Sequence, residues 1–339
     1  MKQATVTVCM PAYNTARYVA QAVESVFAQE FQDWVLLVAD NASDDGTWET
    51  LSRIQHPRMR LFRHPQNIGP VGNWNFLLKQ VETEFFCFLG SDDLFYPRHL
   101  GRKIELLRET PEAPFAHGPA TLLDPEGAVV SPAPSSRWQR FRANASRALQ
   151  EWTAPPRRLA SGAWRDDRAT LLRQWVRFNS VCVTSAVFRK AAFDRRGLMF
   201  DPRLKFMIDW HLYLELMMDH PCVVRDDQTT VAYRVHSHSE TGRNWHSLSW
   251  ALEHCEHILF SLEEHPVSWT EAGFNVRMET GILAARLLRL AVEQRLRGRC
   301  EAARTAWETF HRHDGARRVA GLMDARLWPR LLKRRLRIG

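Results

Sequence analysis

The sequence predicts an α/β fold: a largely parallel, twisted sheet flanked by helices, followed by a C-terminal helical extension. Three observations predict it. Over the first third of the chain, short apolar runs rich in β-branched and aromatic residues alternate with amphipathic stretches. The run "WVLLVAD", residues 34–40, is continuously apolar rather than alternating, as expected of a strand covered on both faces. From residue 245 onward only helical periodicity remains.

The elements follow in order. "TVTVCMPAYN" is a β-rich run that ends at Pro11. Residues 16–29 carry Val19, Val23, Val26 and Phe27 at the i, i+4, i+7, i+8 spacing of one helix face. "WVLLVAD" ends at Asp40, "NASDDGT" has turn chemistry, and "WETLSRI" is a short helix. "MRLFRH" is a third strand. Pro70 stands in the first turn of the next helix, with Val71, Trp74, Leu78 and Val81 on one stripe. "EFFCFLG" is the fourth strand, and Pro97 opens a helix carrying Leu100, Ile104 and Leu107. Residues 119–180 break the alternation, beginning with "LLDPEGAVV", a small hairpin with Pro-Glu-Gly in its turn. "SVCVTSAVFRK" resumes a strand, and Asp209 opens a helix in "MIDWHLYLEL". "SLSWALEHCEHILFSLEEH" and "GILAARLLRLAVEQRL" are amphipathic helices. The pattern divides the chain into residues 1–118 and 119–240, two halves of one domain, and residues 241–339, a helical region with a basic tail.

Composition excludes several classes. The net charge of +8 is moderate, and its basic residues crowd towards the end of the chain. The six cysteines are scattered without a C-x-x-C pair, so neither a zinc site nor a disulfide framework is expected; reduced thiols suit a cytoplasmic protein. A strand begins almost at once, so no signal peptide is expected. No apolar run reaches the roughly 20 residues of a membrane span. No G-x-G-x-x-G follows the first strand and no G-x-x-x-x-G-K-[ST] occurs, which leaves dinucleotide or Walker-type binding unsupported.

In parallel sheets ligands bind beyond the C-terminal strand ends. Here those ends carry Pro11, Ala12, Tyr13 and Asn14; Asp40 and Asn41; and the adjacent acids Asp92 and Asp93. Carboxylates repel phosphate. They hold it only through a divalent metal, or they accept hydrogen bonds from base N–H groups and ribose hydroxyls. Two adjacent aspartates on a rigid strand end suit Mg²⁺ or Mn²⁺, which take hard oxygen ligands and keep positions open for diphosphate.

Six segments in order, "VTVCMPAYN", "VADNASDDGT", "NIGPVGNWN", "LGSDDLFYP", "MIDWHLYLEL" and "YRVHSHSET", make the chain resemble the family 2 glycosyltransferases of GT-A fold over roughly residues 4–240. The resemblance implies an inverting enzyme with a nucleoside-diphosphate sugar donor, a glycan or lipid-linked acceptor, Mg²⁺ or Mn²⁺ as cofactor, and no nucleic-acid partner. It implies Pro11, Ala12 and Tyr13 around the base, Asp40 on a base N3–H, and Asn67, Gly69 and Asn75 in nucleotide binding. It places Asp93 on the metal, Asp92 on the ribose or metal, Arg234 on phosphate oxygens, and His236 on the metal with His238 as fallback. Asp209 becomes the general base. Two departures stand out: Gly90 and Ile208 occupy positions where the family usually has acids. They leave open a silent nucleotide-sugar-binding scaffold in a glycan-assembly complex. The stretch "SPAPSSRWQRFRANASRALQEWTAPPRRL" reads as a solvated insertion or an acceptor-facing lid. The end, "LWPRLLKRRLR", reads as a solvated basic segment or a peripheral anchor at the inner face of the membrane.

Overall fold

Strands β1 (Val6–Ala12), β2 (Trp34–Asp40), β3 (Met59–Arg63) and β4 (Phe85–Phe88) pair in parallel, in the order β3-β2-β1-β4. This computed structural model describes residues 4–130, 156–176, 179–236 and 248–312. The chain divides into two units, Met1–Gly242 and Arg243–Gly339. In the first unit the crossovers are helices α1 (Val19–Phe27), α2 (Thr47–Ser52) and α3 (Gly69–Lys79), with α4 (His99–Glu109) after β4. Val6, Val8, Met10, Leu36, Val38, Phe85 and Cys87 form one core with Val19, Val23 and Val26 of α1 and Leu100, Ile104 and Leu107 of α4. The other sheet face is covered as well: Trp74 of α3 stacks on Phe88 at 4.5 Å. Two covered faces explain why these strands read as unbroken apolar runs.

Beyond β4 the sheet becomes mixed. β10 (Val187–Arg189) runs antiparallel between β4 and β6 (Phe115–His117), β11 (Cys222–Arg225) is parallel to β6, and β9 (Trp164–Asp167) and β8 (Arg157–Arg158) close the edge. The parallel pairing lies chiefly in the first four strands, with β6 and β11 adding one more parallel pair. A second sheet joins β5 (Leu94–Phe95), β12 (Val231–Arg234) and β7 (Ala120–Leu123). It brings the chain just after β12 against the acids just before β5. The expected hairpin is present. Leu123 bridges Val129, and the Asp124 carboxylate accepts from the N–H groups of Glu126 and Ala128 around Gly127, whose φ of 93° a side chain would resist.

The run "SVCVTSAVFRK" departs from expectation. Only Val187–Arg189 is strand; Val183–Ser185 is a 3₁₀ turn. Its polar side chains explain the change. Ser185 Oγ donates to the Cys182 carbonyl at 2.7 Å, and Asn179 Oδ1 accepts from the Val181 N–H at 2.8 Å. Such local bonds offer the backbone an alternative to the ladder. Helices α5 (Arg168–Trp175), α6 (Lys190–Asp194) and α7 (Ile208–Asp219) complete the unit. α5 is capped by Asp167, which accepts from the Thr170 N–H at 3.0 Å.

The second unit contains α8 (Leu248–Glu264), α9 (Pro266–Glu271), α10 (Val276–Leu296) and α11 (Cys300–Arg312). Asn275 caps α10 by accepting from the Met278 N–H at 3.0 Å. Among the described residues no helix is long and apolar enough to cross a membrane. His238, most of the Trp- and Arg-rich insertion (131–155) and the basic segment 327–337 lie outside the described residues.

Candidate active site

The register places Ala12, Asp40 and Arg63 in one row at the ends of β1, β2 and β3. Asp40 is fully buried. Its Oδ2 lies 3.3 Å from Arg63 Nε and accepts from the Ser43 N–H, while its Oδ1 is buried without a hydrogen-bond partner. An unmet buried carboxylate oxygen is costly, and a ligand N–H would satisfy it. Tyr13, 47% exposed, follows the half-buried Pro11 and buried Ala12, the register partner of Asp40. Asn67 and Gly69 are tied to this end by Asn41: its Nδ2 donates to Asn67 Oδ1 at 3.0 Å and to the Gly69 carbonyl at 3.2 Å. Asn75 is differently employed. Its Oδ1 accepts from the Phe200 N–H at 2.9 Å and its Nδ2 donates to the Phe200 carbonyl at 2.8 Å, so both ends of the amide brace residue 200.

Gly90 gives the two acids their room. A Cβ there would come within 2.8 Å of Asp93 Oδ2 and 2.9 Å of Asp92 Oδ1. Asp93 is buried. Its Oδ2 accepts from Thr184 Oγ1 at 2.6 Å and its Oδ1 from the Arg234 N–H at 2.9 Å. Burial, with Asp92 adjacent, pushes its carboxyl well above the usual range against these bonds. Asp92 is 24% exposed at its side chain, and its Oδ2 lies 2.8 Å from His236 Nε2.

Two of the expected site residues are held by the protein itself. Asp93, expected on the metal, has both oxygens engaged inside the protein, and Asp92 is the acid that meets His236. Arg234, expected on phosphate, is buried. Its guanidinium donates to the carbonyls of Asp92 (2.9 Å), Asp124 (3.2 Å) and Pro125 (3.3 Å) and to Gln21 Oε1 (3.2 Å), 4.6 Å above the Tyr18 ring. It rivets the acid loop to the hairpin. Asp92 and His236 are hydrogen-bonded to each other at 2.8 Å, and a carboxylate oxygen with an imidazole nitrogen is a donor set that a divalent ion accepts. No third imidazole, thiol or carboxylate group joins this pair among the described residues.

Asp209 occupies the first turn of α7, where helix N–H groups lack intrahelical partners. Its Oδ1 accepts from the Trp210 N–H at 2.8 Å and its Oδ2 from Asn179 Nδ2 at 3.2 Å. Burial outweighs these bonds and pushes the carboxyl up from 3.8 to about 6. Segment 179–185 joins the two acidic centres: Asn179 bonds Asp209 and Thr184 bonds Asp93. Between them, burial raises the Cys182 thiol to about 12, and Asp93 and Asp209 both add to the shift. Arg63, Asn179, Cys182 and Thr184 were not singled out by sequence. Only Arg63 had a readable signal, a cation closing a strand beside the one ending in Asp40.

A family model described as Glycosyl transferase family 2 matches residues 7–120. UDP-Glc:alpha-D-GlcNAc-diphosphoundecaprenol beta-1,3-glucosyltransferase WfgD of Escherichia coli is 30% identical over 102 residues, 30% of this chain and 40% of that protein. For glycosyltransferases of Rickettsia the match spans 15–35% of their length, so this chain resembles only part of them. In fold, the chain is similar to S. aureus TarS 1-349 in complex with UDP-GlcNAc, with a TM-score of 0.57 and 16% identity over 91% of this chain and 92% of that one. It is also similar to the mannosyltransferase PcManGT from Pyrobaculum calidifontis in complex with GDP-Man and Mn²⁺, with a TM-score of 0.52 and 17% identity over 96% and 89% of the two chains. Residues 7–120 thus match the glycosyl transferase family 2 model, within a mixed α/β fold similar to that of these two structures.

Proposed function

We propose that the protein is an inverting glycosyltransferase that moves a sugar from a nucleoside-diphosphate sugar to a hydroxyl of a glycan or lipid-linked acceptor. The observation that carries this reading is the coupling, through residues 179–185, of a metal-type acid loop to a carboxyl poised near 6. Asp40 Oδ1 accepts the base N–H, with Pro11, Ala12 and Tyr13 around the ring and Arg63 on the neighbouring carbonyl edge. Asn41 holds the loop of Asn67 and Gly69 against the nucleotide. Asp92 and His236 would hold Mg²⁺ or Mn²⁺, and Asp93 and Arg234 fix the loop that presents them. An ion bound there would supply positive charge to the diphosphate leaving group. Asp209 takes the proton of the acceptor hydroxyl as that oxygen attacks the anomeric carbon from the face opposite the diphosphate. One base and no nucleophilic acid gives inversion.

The relatives support the substrate classes. TarS and PcManGT are described with UDP-GlcNAc and with GDP-Man and Mn²⁺, and WfgD is named for a diphosphoundecaprenol-linked acceptor. The setting that suits such an acceptor is the cytoplasm, at the inner face of the membrane. The test is release of nucleoside diphosphate from a panel of UDP- and GDP-sugars, with lipid-diphosphate sugars as acceptors. Release requiring Mg²⁺ or Mn²⁺, and lost in Asp92→Asn and His236→Ala, is expected. Tight nucleotide binding without turnover across the panel would instead mark a silent scaffold.

A further inference from the structure

Asn179 is held from both sides of its amide. Its Oδ1 accepts from the Val181 N–H at 2.8 Å, which leaves Nδ2 as the only end that can face Asp209, and Nδ2 donates to Asp209 Oδ2 at 3.2 Å. A flipped amide would set a donor against the Val181 N–H and an acceptor against a carboxylate. The other oxygen of Asp209 accepts from the Trp210 N–H at 2.8 Å. The carboxylate is therefore gripped from two elements, the 179–185 segment and α7. Further outward lone pairs are left for a proton.

Among the described residues, the titratable groups that interact with Asp209 are a thiol and a phenol. Cys182, on the 179–185 segment, and Tyr213, one turn along α7, are both raised by burial and by Asp209 itself; Asp93 reaches the same Cys182 thiol from the acid loop. What opposes burial and keeps Asp209 ionised is hydrogen bonding from main-chain N–H groups and from Asn179. Among the described residues, Asn179 is the only side chain among these donors.

We infer that Asn179 is a positioning residue of the transfer reaction, which aims the Asp209 carboxylate and holds it in its proton-accepting form. This rests on the reading of Asp209 as the general base, and the test separates the two.

The full-length protein is labelled at the aspartate ¹³Cγ, and the Asp209 resonance is assigned by its loss in Asp209→Asn. In the wild-type protein burial is expected to place its titration near 6. Asn179→Ser keeps a short oxygen near Val181 but does not reach Asp209. Loss of one hydrogen bond to a charged group moves the titration up by about one pH unit. Asn179→Asp preserves shape and the Val181 contact, adds a like charge, and moves it further in the same direction. The acidic limb of kcat follows both shifts, with KM for the donor sugar unchanged. A midpoint unmoved in both folded variants, alongside an inactive Asp209→Asn, overturns the inference and leaves the base in place. Normal transfer by Asp209→Asn overturns the base reading and the positioning role with it.

Discussion

Asp209 shows how a single side chain carries opposite demands. Burial raises its carboxyl to about 6, so the folded protein binds that proton more tightly than the unfolded chain does. The sign follows. Its contribution to stability falls as pH rises from 3.8 towards 6 and stays lost above it, whereas a base must be deprotonated and works only above that same range. Asp209→Asn removes the ionisation. At pH 7 its thermal midpoint is expected at or above that of the wild-type protein, with donor binding kept and transfer down by roughly 10²–10⁴-fold, the usual contribution of general-base catalysis. Differential scanning fluorimetry and a transfer assay read the two halves. That an acid opens this apolar helix was legible in the sequence; the base role came from the resemblance and is the reading proposed above. The partner Asn179 was not legible, because that bond joins residues 30 apart through a segment whose β-branched composition looks like strand.

Among the elements, the first four strands and their helices were readable because each face is buried and periodicity reports burial directly. The second half of the sheet was less so. β6, β10 and β11 have three or four residues each, too few for a period to show. What holds this half includes charge. Lys103 of α4 is fully buried, and its Nζ lies 2.9 Å from Asp226 Oδ2 at the end of β11. Arg102 Nε reaches the same oxygen at 3.2 Å. These cations hold the Asp226 carboxyl below its usual range against burial, so its stabilising effect is present at neutral pH and lost as pH falls through the lowered value. Asp226→Ala leaves the Lys103 ammonium without its buried partner and is expected to cost about 3–5 kcal/mol, read as a lower urea midpoint at pH 7. A loss below about 1 kcal/mol, the value of an exposed pair, would show that water reaches the site.

For the whole molecule, sequence pattern was enough to separate a mixed α/β unit from a helical one, because the change from strand to helix periodicity is abrupt. It could not pair Asp92 with His236, which are 144 positions apart and meet only because β5 and β12 share a sheet. The last stretch of chain bears on where the protein works. Arg330, Lys333, Arg334, Arg335 and Arg337 alternate with Leu331, Leu332 and Leu336 near Trp328. Each cation near an anionic surface contributes about 1 kcal/mol. The full chain is expected to sediment with anionic liposomes at low salt and to be released at high salt, while a chain ending at Ala325 stays in the supernatant. Equal partitioning of the two would leave these residues as a solvated segment.

The crowding at Gly90 changes what its lost acid signifies. Judged by motif alone, a glycine there looks like decay, the first step of an enzyme on its way to becoming a pseudoenzyme. Sterically it is a trade: Asp93 is turned inward onto Thr184 and the Arg234 main chain, and a Cβ at position 90 would displace its carboxylate or that of Asp92. Introducing the acid, Gly90→Asp, should therefore behave as damage rather than repair. It is expected to reduce the stabilisation by Mn²⁺ with UDP in a thermal-shift titration. A gain would mean that the loop can re-form around three acids.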